Sequence, residues 1–375
     1  MFRKKLTPLL LCCILFLQGC LFTSRITIGS NTIKLEEVSF DSLSGWRSDD
    51  HKKALMSFLQ SCNKFAVMAQ NRPIGKQLGD ITAGDFRDVC EIGEIVKTMS
   101  SKQAQNFFEN WFRPFLVVDK SSGSKGVFTG YYEANLRGSR VKTEKYKYPI
   151  YAKPKNLTNE PYYTRKEIEE GALDGKGLEL LYVDDKVELF FLHVQGSGCV
   201  VLDNGLTIKV AYGGKNNRNY SSIGAYMENQ NLLPRGKVSA ESIKEWMKQN
   251  PDEMDEVMNS NESYVFFAIS NNEFVVGAHN VPLTPERSLA VDSSIMPYGF
   301  PFWVETSFKA RDGSKQSYNK LMVSQDTGSA IKGVLRGDIF FGHGEEAEMK
   351  ASYMASSGQY YVLLPINIID KIAGR

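Results

Sequence analysis

Histidine and cysteine are scarce in this 375-residue chain, with 4 and 6 copies. The histidines, His51, His193, His279 and His343, are scattered along it. No Cys/His spacing matches a zinc site, and no histidine is placed to suggest a serine–histidine pair. Neither a metal nor an organic cofactor is expected. An excess of one charge is also lacking. Lys and Arg number 45 against 43 Asp and Glu, a formal net charge of +2. That balance gives nucleic-acid binding no support. There is no internal repeat, coiled-coil heptad or long low-complexity linker, so a monomer is the default. The composition is otherwise that of a globular protein, 42% hydrophobic and 23% charged. The length allows two domains with cores of their own.

A long apolar run is missing too. The run from Leu6 to Leu17 is shorter than the ~20 apolar residues of a membrane span. It follows Arg3, Lys4 and Lys5 and precedes Gln18-Gly19-Cys20, the layout of a secretory signal. Leu17-Gln18-Gly19-Cys20 resembles a bacterial lipobox. Residues 1–19 then form a signal peptide and Cys20 is the lipidated first residue. An ordinary signal with a chance cysteine is the alternative. Leu21 follows Cys20, where an aspartate would have suggested inner-membrane retention, so an outer-membrane lipoprotein facing the periplasm is expected. Acyl chains would supply its membrane affinity. Removing residues 1–19 takes three positive charges from +2 and leaves −1. Cys62, Cys90 and Cys199 then remain as ordinary cysteines. In an oxidising compartment one pair can form. Cys62–Cys90 is the candidate, with three buried thiols as the equal alternative.

Apolar residues recur at helical spacing over residues 51–70, and further amphipathic helices are expected over 82–99 and 102–112. Trp111 and Phe115 are expected in the core. From Gly126 the pattern turns to short strands, over 127–132, 148–152, 189–194, 200–202 and 207–210. Asn204-Gly205 suits a hairpin turn between the last two. Helices are expected at 240–249 and from Pro251, with Glu253 placed for a capping box. Strands resume at 264–269 and 274–278, and nearly everything beyond reads as strand.

The chemistry concentrates near the C-terminus. One segment reads Ser324-Gln325-Asp326-Thr327-Gly328-Ser329, and another reads Arg336-Gly337-Asp338-Ile339-Phe340-Phe341-Gly342. A third aspartate, Asp292, follows Arg287-Ser288-Leu289-Ala290-Val291. Glycine lets backbone or ligand approach closely. An aspartic acid among apolar neighbours can keep its proton near neutral pH, as a general acid requires. Taken singly, an aspartate beside glycine is usually a turn residue.

Together these segments resemble the three-aspartate domain of the membrane-bound lytic murein transglycosylase A family. The resemblance covers Gly126 to Pro365. It includes Phe128-Thr129-Gly130-Tyr131-Tyr132, His193-Val194-Gln195-Gly196-Ser197-Gly198, and Tyr212-Gly213-Gly214-Lys215-Asn216, the last followed by Tyr220-Ser221-Ser222-Ile223-Gly224. Ser329 departs from the family by replacing a glycine near Asp326. The implied fold is mainly β with N-terminal helices (α+β). A double-psi β-barrel carries an inserted β-rich domain, with a groove between them. The implied division is an N-terminal helical region over 20–125, a glycan-binding insert over 126–262 and a catalytic barrel over 263–375.

The resemblance implies cleavage of peptidoglycan between N-acetylmuramic acid and N-acetylglucosamine, leaving 1,6-anhydromuramic acid ends. Asp338 would act first as acid and then as base, with Asp326 in support. Asp292 and Arg287 would be structural supports of the site. Thr129, Gly130, Tyr131, Tyr132, Gln195, Ser197, Lys215 and Tyr220 would meet the glycan, with Gln195 and Ser197 on one strand face. The implied partner is the peptidoglycan strand; the outer membrane follows from the lipobox-like sequence, and the cell-wall synthesis machinery is a further candidate partner that no residue motif marks. Two other readings stand beside this one. One is a non-catalytic, expansin-like wall-binding lipoprotein. The other is a hydrolase using Asp326 and Asp338 together.

Overall fold

The computed structural model describes residues 27–30, 32–75, 78–309 and 314–372. The signal peptide and Cys20 lie outside the described residues. Among the described residues fourteen strands run in chain order: β1 Thr27–Gly29, β2 Ile33–Glu37, β3 Phe112–Asp119, β4 Gly126–Ser139, β5 Tyr148–Tyr151, β6 Glu179–Val183 and β7 Gly198–Leu202. They continue as β8 Thr207–Lys215, β9 Val265–Ser270, β10 Ser288–Val291, β11 Pro301–Lys309, β12 Lys315–Asp326, β13 Arg336–His343 and β14 Ala355–Pro365.

Six of these strands close on themselves. The order β14-β11-β12-β10-β13-β4 returns to β14 through a second pairing. Closure removes exposed sheet edges. This ring is the barrel that the family resemblance implied. Two of its contacts are parallel, β10 with β12 and β13 with β4. Alternation with a period of two sorts the side chains. Phe128, Leu289, Val291, Ile339 and Phe341 are buried in the main core. Thr129, Ala290, Arg336 and Asp338 face the other way. The far half of β4 leaves the barrel and pairs with β7, so one strand links barrel and insert.

Before the barrel, the helix His51–Ala66 buries Leu55, Phe58, Leu59, Cys62 and Phe65 along one face. Asp50 caps it by accepting Lys53 N–H at 3.3 Å. Cys62 is bonded to Cys90 of the helix Arg87–Val96. The helix Ser101–Trp111 starts on a capping box of Ser100 and Gln103. Phe115 is fully buried, but Trp111 is exposed. The chain turns into β3 at Phe112, and Phe112 takes the core position that helical spacing offered to Trp111.

Several other expectations also fail. Residues 189–194 are helical, within Lys186–Gln195. Their apolar run over 189–192, with no alternation, suits a buried helix as well as a strand. The ends decide: Asp185 accepts the N–H groups of Val187 and Glu188, and Gly196 closes the helix at φ 81°. Gln195 and Ser197 therefore do not share a strand face. The helix expected from Pro251 begins at Met254 without a capping box, because Asn250 turns its side-chain amide back to Trp246 C=O. Residues 274–278 form only an isolated bridge, Val276 with Pro282. Two late helices, Glu345–Tyr353 and Ile366–Ile372, interrupt the run expected to be all strand. The Asn204-Gly205 hairpin is present, with Gly205 at φ 81°. The whole is a mixture of helix and sheet. Among the described residues no helix is long and apolar enough to cross a membrane.

Candidate active site

The two acids reach one face of the barrel by register. Asp338 on β13 lies opposite Ala290 on β10. Asp326, the last residue of β12, also lies opposite Ala290. It does so because the β10–β12 register slips at Gln325, and such a bulge re-aims the residues that follow. Gln325 is fully buried and held by four contacts. It accepts from Ser57 Oγ at 3.1 Å and Ser288 Oγ at 2.6 Å, and donates to Ser57 C=O at 2.8 Å and Ser61 Oγ at 3.0 Å. The N-terminal helix therefore anchors the bulge that aims Asp326.

β4 completes the face. Thr129 sits opposite Asp338 and Tyr131 opposite Phe340. Thr129 Oγ1 donates to Asp338 Oδ1 at 2.5 Å, and Arg336 donates to Thr129 Oγ1 at 2.7 Å. Tyr131 reaches past Phe340, with ring centroids 5.2 Å apart, and donates its hydroxyl to Asp326 Oδ2 at 2.7 Å. Asp326 Oδ1 accepts the N–H groups of Ala278 and Thr327, each at 2.9 Å.

Both acids keep part of their side chain open, yet the surrounding protein strips most water from the carboxyls. Burial therefore raises the pKa of Asp338 above the ordinary carboxyl value. The Arg336 charge and the Thr129 hydrogen bond pull it down, Asp326 pushes it further up, and burial prevails. Asp326 is also raised by burial, against its three hydrogen bonds. Tyr131 stays protonated, because burial and the neighbouring Asp326 disfavour its phenolate. Tyr220 is pushed up by burial and then by Asp338, which puts it within electrostatic reach of that acid.

Asp292 behaves oppositely. Burial acts to raise it, but the Gly333 N–H and both donors of Ser294 hold it below the usual range. It fastens the loop after β12 and reaches neither Asp326 nor Asp338. Arg287 does not pair with Asp292. It forms a buried bidentate pair with Asp49, at 2.7 and 2.8 Å, and donates to Leu321 C=O.

The remaining candidates divide. Gly130 faces inward, where a Cβ would stand 2.5 Å from Phe341 and 2.8 Å from Ala351 Cα. Its role here is packing. Tyr132 is buried and donates to Glu348 at 2.8 Å. Lys244 joins Glu188 and Glu348 beside it, at 2.6 and 2.8 Å, bridging the helix Ala240–Gln249 to the barrel helix Glu345–Tyr353. Gln195 Oε1 accepts the Tyr132 N–H at 3.0 Å, so it braces β4. Ser197 is half-buried on the way into β7. Lys215, at the end of β8, reaches Ser329 Oγ at 3.4 Å. That contact crosses between insert and barrel at Ser329, one of the positions where this chain departs from the family pattern. No group of His, Cys, Asp and Glu among the described residues could hold a metal ion.

Three participants escaped sequence reasoning: Arg336, Ala290 and the Ala278 N–H. Arg336 was within reach, since a residue two before Asp338 on a strand shares its face. Ala290 and Ala278 are visible only through register and the bulge.

Comparison with known proteins agrees with this architecture. The MltA specific insert domain matches residues 127–268 and the 3D domain matches residues 287–364. Membrane-bound lytic murein transglycosylase A of Vibrio cholerae is 36% identical over 241 residues, 63% of this chain and 65% of that protein. The match thus spans slightly under two thirds of that relative's length. A crystal structure of membrane-bound lytic murein transglycosylase from Agrobacterium tumefaciens is similar with TM-score 0.80 and 32% identity, covering 90% of this chain and 99% of that one. Escherichia coli MltA with bound chitohexaose is similar with TM-score 0.69 and 26% identity, covering 83% and 90%. A 3D-domain barrel carrying an MltA-specific insert defines the class. The chain belongs to the membrane-bound lytic murein transglycosylase A family.

Proposed function

We propose that the protein is a lytic transglycosylase that cleaves the β-1,4 bond between N-acetylmuramic acid and N-acetylglucosamine in peptidoglycan. The observation that carries this reading is the placement of Asp338 beside Asp326 on the open barrel face, where burial acts to raise the Asp338 carboxyl above its ordinary value. Asp338 gives its proton to the glycosidic oxygen, the C1–O4 bond breaks, and its electrons go to the departing sugar. Positive charge spreads over C1 and the ring oxygen. The C6 hydroxyl of the same muramic acid attacks C1, and Asp338 takes up its proton. One carboxyl serves both steps, and the internal nucleophile gains the advantage of proximity. Asp326 supplies negative charge toward the oxocarbenium-like centre.

A hydrolase using both acids is the second reading. Their registers place the Cα atoms two strand spacings apart, about 10 Å, a span compatible with an activated water between them. Against it, both oxygens of Asp326 already accept hydrogen bonds, from Tyr131, Ala278 and Thr327. A carboxylate so occupied is a poor base for water.

The chitohexaose bound to the Escherichia coli relative supports a glycan strand as the ligand here, lying between the insert and the barrel. We extend the proposal to attachment at the outer membrane through Cys20, supported by the lipobox-like sequence and by relatives named as membrane-bound. Coupling to cell-wall synthesis machinery belongs to the same proposal.

The test is clearing of a murein suspension by the protein beside Asp338→Asn. Loss of clearing in Asp338→Asn, with pelleting on murein retained, supports the enzyme. Pelleting by the wild type without clearing would favour the wall-binding module. Incorporation of labelled palmitate that is lost in Cys20→Ala tests the anchor.

A further inference from the structure

Thr129 stands between a pure donor and a carboxylate. Arg336 Nη2 donates to Thr129 Oγ1 at 2.7 Å, and Thr129 Oγ1 lies 2.5 Å from Asp338 Oδ1. A guanidinium has no acceptor. The hydroxyl must accept from Arg336, so its single proton points to Oδ1. We infer that Arg336 is a positioning residue: through Thr129 it reserves Oδ1 of Asp338 as an acceptor and leaves Oδ2 to carry the acid proton. The inference rests on the reading of Asp338 as general acid.

The geometry holds this relay in place. Arg336 and Asp338 are two apart on β13 and share a face, and Thr129 is the register partner of Asp338 on β4. Arg336 Nη1 is tied to Gly337 C=O at 2.6 Å and Val127 C=O at 3.4 Å, so the guanidinium cannot swing away without losing both. The charged or titratable groups around Asp338 are Arg336 on its own strand, Asp326 on β12, Tyr131 on β4 and Tyr220 after β8. Arg336 is the cation that acts on its carboxyl.

The consequence is directional. Without Arg336 the Thr129 hydroxyl is free to turn and accept from a proton on Oδ1. The acid proton is then shared between two oxygens, one of them aimed at β4 and away from the glycan. With Arg336 present, Oδ2 gives its proton to the glycosidic oxygen as the C1–O4 bond breaks. The same Oδ2 later receives the C6 hydroxyl proton. Oδ1 keeps the Thr129 hydrogen bond throughout.

The experiment is the pH profile of kcat on soluble glycan strands, using the whole chain in detergent. The variants are Arg336→Ala, Arg336→Lys, Thr129→Val and Thr129→Ser. Arg336→Ala and Thr129→Val should each lower kcat about tenfold, the scale of one hydrogen bond to a charged group. Both should move the alkaline limb to higher pH, because each removes a stabiliser of the carboxylate. KM should stay near wild type. The double variant should be little worse than either single one, since both cut one relay. Thr129→Ser and Arg336→Lys, which keep the donors, should hold the limb near its wild-type position.

A loss of kcat with an unmoved limb, or losses that multiply in the double variant, would overturn the relay. So would wild-type behaviour of Arg336→Ala. Thermal melts separate misfolding from either result, and the two conservative variants keep the test alive if the severe ones unfold. Asp338→Asn distinguishes the levels: activity in that variant sinks the general acid itself, whereas its inactivity beside a normal Arg336→Ala sinks only the relay.

Discussion

Asp326 and Asp338 stand opposite the same residue, Ala290, one on each side of it. The shared partner sets their spacing, and its single methyl group leaves the floor between them low. Ala290 is itself buried against Tyr131 and Phe340. Ala290→Leu should therefore crowd both acids. Overpacking of this kind costs about 1–3 kcal/mol, so the variant should fold and melt a few degrees lower. Its turnover should fall at least about a hundredfold. Normal turnover in a folded Ala290→Leu protein would mean that the floor between the acids is not part of the site.

Asp326→Asn keeps the shape but exchanges an acceptor-only carboxylate for an amide. Lost charge toward an oxocarbenium-like centre should lower kcat by about 10²–10³, the scale seen when one electrostatic stabiliser is removed. The ends of the products should not change, because Asp326 is not the base in the proposed route. Single-turnover kinetics on glycan strands would measure this. A switch in product type would move Asp326 into a direct chemical role.

Asp338 also links activity to stability. Burial raises its folded pKa above the unfolded value of about 3.9. The stability it contributes is fully present below that unfolded value and is lost as pH rises through the folded one. Asp338→Asn does not titrate, and its amide oxygen can still accept from Thr129. At neutral pH the inactive variant should melt above wild type, and the gap should close as pH falls toward about 4. Calorimetric melts across that range decide it, and a variant less stable at every pH contradicts it.

Much of this site was legible as sequence because its parts are short and their neighbours informative. Asp338 sits between a glycine and an apolar run, Asp326 sits two residues before Gly328, and the Thr129 to Tyr132 segment is a plain strand. The fold came through where period and punctuation agree, as in the helix Ala240–Gln249 and the Asn204-Gly205 hairpin. It failed where the pattern serves two structures. Residues 189–192 are apolar without alternation, and the caps at Asp185 and Gly196 mark the segment as helical. Gln195 and Gly130 carry residue types that suit a ligand, yet tertiary packing uses them to brace β4 and to admit Phe341. Asp49 could not be matched to Arg287 at all, because 238 residues separate them.

That pair predicts its own asymmetry. Arg287 and Asp49 have side chains 3% and 4% exposed. Burial acts to raise the pKa of Asp49, but the hydrogen bonds and charge of Arg287, joined by the Leu321 N–H and His51, hold it below the usual carboxyl range. Arg287→Met alone strands a buried charge and should cost about 3–5 kcal/mol in urea unfolding. Replacing both partners with apolar residues of similar size should cost far less. Equal losses in the single and double variants would show that the residues do not act as a pair.

On the proposed route an internal hydroxyl, and not water, attacks the muramic acid. The direct measurement is mass spectrometry of muropeptides released from purified peptidoglycan by the wild-type protein, beside Asp338→Asn. An anhydro end is one water lighter than a reducing end. The wild type should release anhydro-ended products, and Asp338→Asn should release none. Reducing ends from the wild type would contradict the route and make the protein a hydrolase.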